Sequence, residues 1–95
     1  MNKNTLGEKR EKALKNIIGT LEENVNNIKA EKKGYDRVTI VKDNCIYTVC
    51  LLERDNDKLK YALFIKYDDK DNDVFFAEWK VEKRFLKEFI EMLKR

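Results

Sequence analysis

The sequence predicts a single α+β domain: a long N-terminal helix, a four-stranded antiparallel meander and a short C-terminal amphipathic helix. Apolar residues recur at helical spacing up to residue 33, at alternate positions between 35 and 81, and at helical spacing again from 82 to 95. The alternating runs are joined by links of a few residues, which suits antiparallel neighbours. Three Gly and no Pro in 95 residues leave few interruptions within one domain.

The first helix is expected from about Thr5 or Gly7 to Lys33. Leu14, Ile18, Leu21, Val25 and Ile28 form a seam of alternating four- and three-residue steps, widened by Ile17. Lys12, Lys15, Glu22, Glu23 and Lys29 lie opposite it. Gly34 is a natural stop, with Lys32 and Lys33 placed for the negative end of the helix dipole. Gly19 and the run Asn24, Asn26 and Asn27 weaken the middle. A seam of about two heptads is too short to stand alone. It needs a surface, either its own sheet or a second copy, and a homodimer through these five residues is one expectation.

From Tyr35 the period becomes two. Arg37–Lys42 carries Val38, Ile40 and Val41, and Asp43-Asn44 is a two-residue turn. Cys45–Glu53 is apolar on both sides, with Ile46, Cys50 and Leu52 on one and Tyr47, Val49 and Leu51 on the other, so it is expected at the centre. Arg54–Asp57 is a second turn. Lys58–Tyr67 sets Leu59, Tyr61, Leu63, Ile65 and Tyr67 against Lys60, Ala62, Phe64 and Lys66. An acidic loop, Asp68–Asp73, leads to a fourth strand, Val74–Val81. The last helix, Glu82–Arg95, buries Phe85, Leu86, Phe89, Ile90 and Leu93. It is expected to cover one side of the sheet, with the first helix available for the other.

The chain has no His, Ser or Gln. This removes the imidazole base, the serine nucleophile and Cys/His zinc sites, and a non-enzymatic protein without cofactor or metal is expected. Cys45 and Cys50 stand five residues apart, on opposite faces of a strand, and read as reduced thiols rather than a redox pair. Charges interrupt every apolar stretch, so neither a signal segment nor a membrane span is expected, and the chain reads as cytoplasmic. Sixteen Lys and nine Asn suggest AT-rich bacterial or phage coding. The net charge of +3 is too small to make a polyanion-binding stripe by itself.

Four constellations are candidates for function. Asp69, Asp71 and Asp73 alternate like the opening of a calcium loop. Val74 and Lys80 occupy the positions that such a loop needs as Gly and Glu, so a solubilising hairpin is the better reading. Glu78-Trp79-Lys80, after an apolar strand, resembles the E-x-K half of the PD-(D/E)xK nuclease signature. That resemblance implies Mg²⁺ held by Glu78 and an upstream acid, matched here to Asp57, with Lys80 acting on the attacking water. Lys60, Ala62, Phe64 and Lys66 lie beside Val74, Phe76, Glu78 and Lys80 if the last two strands pair in even register. The result is an aromatic and cationic face that suits single-stranded nucleic acid unless the first helix covers it. Four strands followed by a helix is similar to the architecture of positive-cofactor-type single-strand binders. Last, Lys3, Lys9, Arg10, Lys12 and Lys15 make a basic N-terminus, interrupted by Glu8 and Glu11.

The leading expectation is a small protein that docks on a protein target of the host or of a mobile element and occludes its surface. In size and mixed build the chain resembles phage and mobile-element inhibitors of the anti-CRISPR and anti-defence type, a group without a shared motif. Tyr35, Tyr61, Phe64, Tyr67, Phe76 and Trp79 are the expected partner contacts, with Asp69, Asp71 and Asp73 as a phosphate mimic. The alternative is a nucleic-acid-binding regulator using Lys9, Arg10, Lys12, Lys60, Lys66 and Lys80.

Overall fold

The computed structural model describes residues 6–67 and 72–95, except for the side chains of Leu6 and Asp57. Two helices and a five-stranded antiparallel sheet follow in the order α1 (Leu6–Asn24), β1 (Lys29–Lys33), β2 (Arg37–Lys42), β3 (Cys45–Arg54), β4 (Lys58–Tyr67), β5 (Val74–Trp79) and α2 (Glu82–Leu93). The spatial order of the strands equals their chain order, so β3 is central, as its two-sided apolar pattern predicts.

The sheet has one strand more than the sequence predicts, and the first helix is correspondingly shorter. The Asn run is its terminator. Asn24 donates its side-chain amide to the Thr20 carbonyl at 2.8 Å, and Asn27 adopts φ 60°, a left-handed conformation that Asn tolerates better than most residues. Lys29–Lys33 then pairs with β2, Lys29 against Val41 and Lys33 against Arg37. Gly34, expected to cap a helix, has φ +70° in the hairpin turn instead. The composition Lys-Ala-Glu-Lys-Lys favours a helix, but its charged side chains also suit an edge strand that must not pair with another molecule. The sheet therefore spans 29–79, in place of the expected 35–81.

The remaining links follow the expected punctuation. Asp43-Asn44 closes Lys42 onto Cys45, and a short 3₁₀ turn, Asp55–Asp57, closes Arg54 onto Lys58. β4 and β5 pair in two registers separated by a bulge. Leu63 faces Ala77, Phe64 faces Phe75, and Phe76 is the inserted residue.

Both helices lie on the same face of the sheet, where the sequence had left opposite faces open. Leu14, Ile17 and Leu21 of α1 join Phe85, Phe89 and Leu93 of α2 over Val38, Ile40, Val49, Leu51, Leu63 and Ile65 in one core. Phe85 lies at the aromatic centre, with its ring centroid 5.5 Å from that of Tyr61, 5.1 Å from Trp79 and 5.4 Å from Phe89. The predicted dimer seam is consumed here. Leu14, Leu21 and Val25 are buried within the protomer, and Ile18 and Ile28 pack against the same core. The core is therefore continuous across α1, the sheet and α2.

Leu21→Ala is expected to lower unfolding stability by about 2–5 kcal/mol, read by urea denaturation, through lost burial and the cavity left behind. A change in sedimenting mass without loss of stability would contradict the placement of this seam.

Candidate binding surfaces

Alternation along the paired strands assigns the second face of the sheet without ambiguity. Thr39 and Val41 of β2, Ile46, Thr48, Cys50 and Leu52 of β3, Lys60, Ala62, Phe64 and Lys66 of β4, and Phe75 and Glu78 of β5 point away from the helices. No described element covers this face. Its centre is close-packed even so: Cys50 and Ala62 are buried by their neighbours, and Phe64 meets the edge of Phe75 with ring centroids 5.6 Å apart. Around that centre Val41 and Leu52 are each 39% exposed and Phe75 is 52% exposed. Charges occupy the periphery. Lys60 pairs with Glu78 at 3.3 Å, Lys33 with Glu31 at 3.7 Å, and Arg37 with Asp36 at 3.3 Å.

The bulge decides which phenylalanine belongs to this face. Even register predicts Phe76 beside Phe64, whereas the extra residue puts Phe75 there and sends Phe76 to the helix side, with Trp79, Phe89 and Met92. Trp79 also leaves the list of contacts. It is half-buried on Phe85, and its indole N–H donates to Glu88 Oε1 at 2.9 Å. That bond, with a second from Arg84, holds the Glu88 carboxyl below its ordinary range. Tyr61 is a core residue, 6% exposed, and its hydroxyl reaches Glu82 at 3.5 Å. Tyr35 remains exposed in the β1–β2 turn, with the Arg10 guanidinium 5.3 Å from its ring centroid. Tyr67 and Asp73 are exposed at the opposite end of the sheet. Asp69 and Asp71 lie outside the described residues.

Apart from Arg10, which lies over Tyr35, the candidate basic residues separate into two groups. Lys60 and Lys66 belong to the uncovered face. Lys9, Lys12 and Lys80 meet at the end of the sheet nearest the start of α1, where Arg54 and Lys58 join them. These five cations, with Ala13, Asn16, Leu59, Tyr61 and Glu82, line a cleft of about 610 Å³. Asn16 donates to Glu82 at 2.9 Å, and Arg54 donates to the main-chain carbonyls of Leu59 (3.5 Å) and Lys80 (3.4 Å). α1, β4 and the start of α2 are thus tied together at the cleft wall. Sequence spacing gave no sign of Arg54 or Lys58, because both flank an ordinary turn and converge on Lys9 only through the packing of α1.

Of the nuclease-like set, the side chain of Asp57 lies outside the described residues. Glu78 stands opposite Ala62 and is paired with Lys60, whereas Asp57 precedes the first residue of β4. Among the described residues no group of three His, Cys, Asp or Glu side chains could hold a metal ion. Both cysteines are free thiols on opposite faces, as their spacing predicts: Cys45 packs against the core and Cys50 is buried on the uncovered face. Burial pushes the Cys50 thiol above its ordinary value, which disfavours the thiolate. No described helix is long and apolar enough to cross a membrane.

Comparison with family models, with curated proteins and with solved structures finds no match.

Burial, reinforced by the Glu82 charge, pushes the Tyr61 phenol up to about 12 from an ordinary value of 10.0. The unfolded state then releases its proton first, so stability is unaffected below about pH 10 and falls as pH rises towards 12. The loss is up to about 3 kcal/mol at one unit per 1.36 kcal/mol. Denaturation midpoints for the wild type and Tyr61→Phe, measured between pH 8 and 12, should diverge over that window with the variant losing less.

Proposed function

We propose that this chain is a small, non-enzymatic binding protein that modulates or inhibits a protein partner by covering part of that partner's surface with its uncovered sheet face. The placement of both helices on one side of the sheet carries this reading, because it leaves five strands' worth of the other side without a described covering element. Val41, Ile46, Leu52, Phe64 and Phe75 surround the buried Cys50 and Ala62, and this apolar area within a charged periphery has the composition of a protein-binding patch. A rigid sheet also presents this patch with little ordering on association, which favours affinity for its area. The expected partner is a target of the host or of a mobile element, and occlusion needs none of the catalytic groups that the sequence lacks.

The exposed phenylalanine and the lysines of the same face favour a second reading, single-stranded nucleic acid. It is the weaker one. Lys60 is occupied by Glu78, and the edge-to-face contact of Phe64 with Phe75 turns one ring towards the other rather than offering two parallel platforms.

Phe75→Glu and Leu52→Glu alter half-exposed positions and are expected to change stability by less than about 1 kcal/mol. Each should abolish stoichiometric recovery of the partner from a bacterial lysate, while Lys87→Glu, on the exposed side of α2, should not. Undiminished recovery with the sheet-face variants, or no stoichiometric protein with the wild type, would remove this reading. Retention on single-stranded oligonucleotides that is lost with Phe75→Glu would replace it with the second.

A further inference from the structure

The cleft between the start of α1 and the end of the sheet is distinct from the sheet face, and among the described lining residues cations outnumber carboxylates. Lys9 and Lys12 come from α1, Arg54 from the end of β3, Lys58 from the start of β4 and Lys80 from the segment after β5. Glu82 is the single carboxylate among the described lining side chains, and it already accepts from Asn16 and Tyr61. Lys12, Lys58 and Lys80 form no ion pair with any described residue, while exposed pairs are common elsewhere, as between Lys15 and Glu11 or Lys42 and Asp43. Like charges gathered on one concave wall repel each other and raise the local concentration of anions.

Arg54 is preorganised. Its bonds to the Leu59 and Lys80 carbonyls, 3.5 and 3.4 Å long, orient the guanidinium in the cleft wall and leave further N–H donors of its planar fork unused by any described acceptor. Ala13 and Leu59 supply the apolar part of the wall, and the volume of about 610 Å³ lies within the range of small-molecule sites. A multiply charged group with several acceptor oxygens matches the cations, and a flat, partly apolar body matches the remaining wall.

We propose that this cleft binds the phosphoryl groups of a nucleotide, either free or as part of a strand. Lys12, Lys58, Lys80 and Arg54 take the phosphate oxygens, and the body rests against Ala13 and Leu59. The site is independent of the protein-docking reading and stands or falls without it.

Calorimetric titration of the full chain at about 50 mM salt tests this with three probes: ATP, inorganic phosphate and a short single-stranded oligonucleotide. Saturable ATP binding is expected, weakened about tenfold by Lys58→Ala and again by Lys12→Ala, and unaffected by Lys94→Ala at the far end of α2. Glu82→Gln keeps the acceptor for Asn16 and removes the one negative charge among the described lining residues, so it should tighten ATP binding several-fold. ATP should also raise the melting temperature of the wild type and not that of the Lys12→Ala/Lys58→Ala/Lys80→Ala variant. Binding of the oligonucleotide with the same variant pattern, but not of ATP, assigns the phosphoryl groups to a strand. Absence of saturable binding for all three probes overturns the proposal. So does binding that Lys58→Ala, an exposed substitution with little consequence for folding, leaves unchanged.

Discussion

Leu14, Ile17 and Leu21 from one end of the chain and Phe85, Phe89 and Leu93 from the other bury themselves over the same rows of Val38, Ile40, Val49, Leu51 and Leu63. A 95-residue domain has little apolar material to distribute, and two half-sized cores on opposite sides of a sheet would each lack the interior volume to exclude water. Concentrating both helices on one face gives a single core in which Phe85 contacts Tyr61, Trp79 and Phe89 at once. The short final helix depends on this most, because its twelve residues are too few to be stable without tertiary packing.

One-sided burial shapes the remaining surface. The second face keeps a close-packed middle of Cys50 and Ala62 and an exposed apolar surround that includes Leu52 and Phe75. The two sheet edges differ as well. β1 presents Lys29, Glu31, Lys32 and Lys33, side chains that discourage another strand from pairing, whereas β5 carries Val74, Phe75 and Phe76, with the bulge as its interruption. Laying α1 across the helix-side face also carries Lys9 and Lys12 to the end of the sheet, where Arg54, Lys58 and Lys80 emerge. Sheet face and cleft are thus two consequences of one packing choice.

Four strands, both strand-linking turns and the last helix were legible because their signals are local. The alternation of Leu59, Tyr61, Leu63 and Ile65 against Lys60, Ala62, Phe64 and Lys66 survives unchanged in the structure, as does the opposite facing of Cys45 and Cys50. β1 was hidden by its own composition, since Lys-Ala-Glu-Lys-Lys has helical propensity and its pairing partner lies beyond Gly34. The candidate contacts divided for a similar reason. An aromatic at an alternating position is equally good as core or as surface, and only the side taken by the helices assigns Tyr61 and Trp79 to the interior and Phe64 to the uncovered face.

Spacing and turn residues established by themselves an α+β domain with a central β3 and an amphipathic final helix. Those properties depend on residues within a few positions of each other. The tertiary structure alone decided where α1 ends, which face α1 covers, which phenylalanine stands beside Phe64 and which cations share a cleft. Each of these is set by competition between surfaces distant in the chain: the Asn24–Asn27 break against the helical propensity that follows it, one core against two, and a single inserted residue that reverses the alternation of β5.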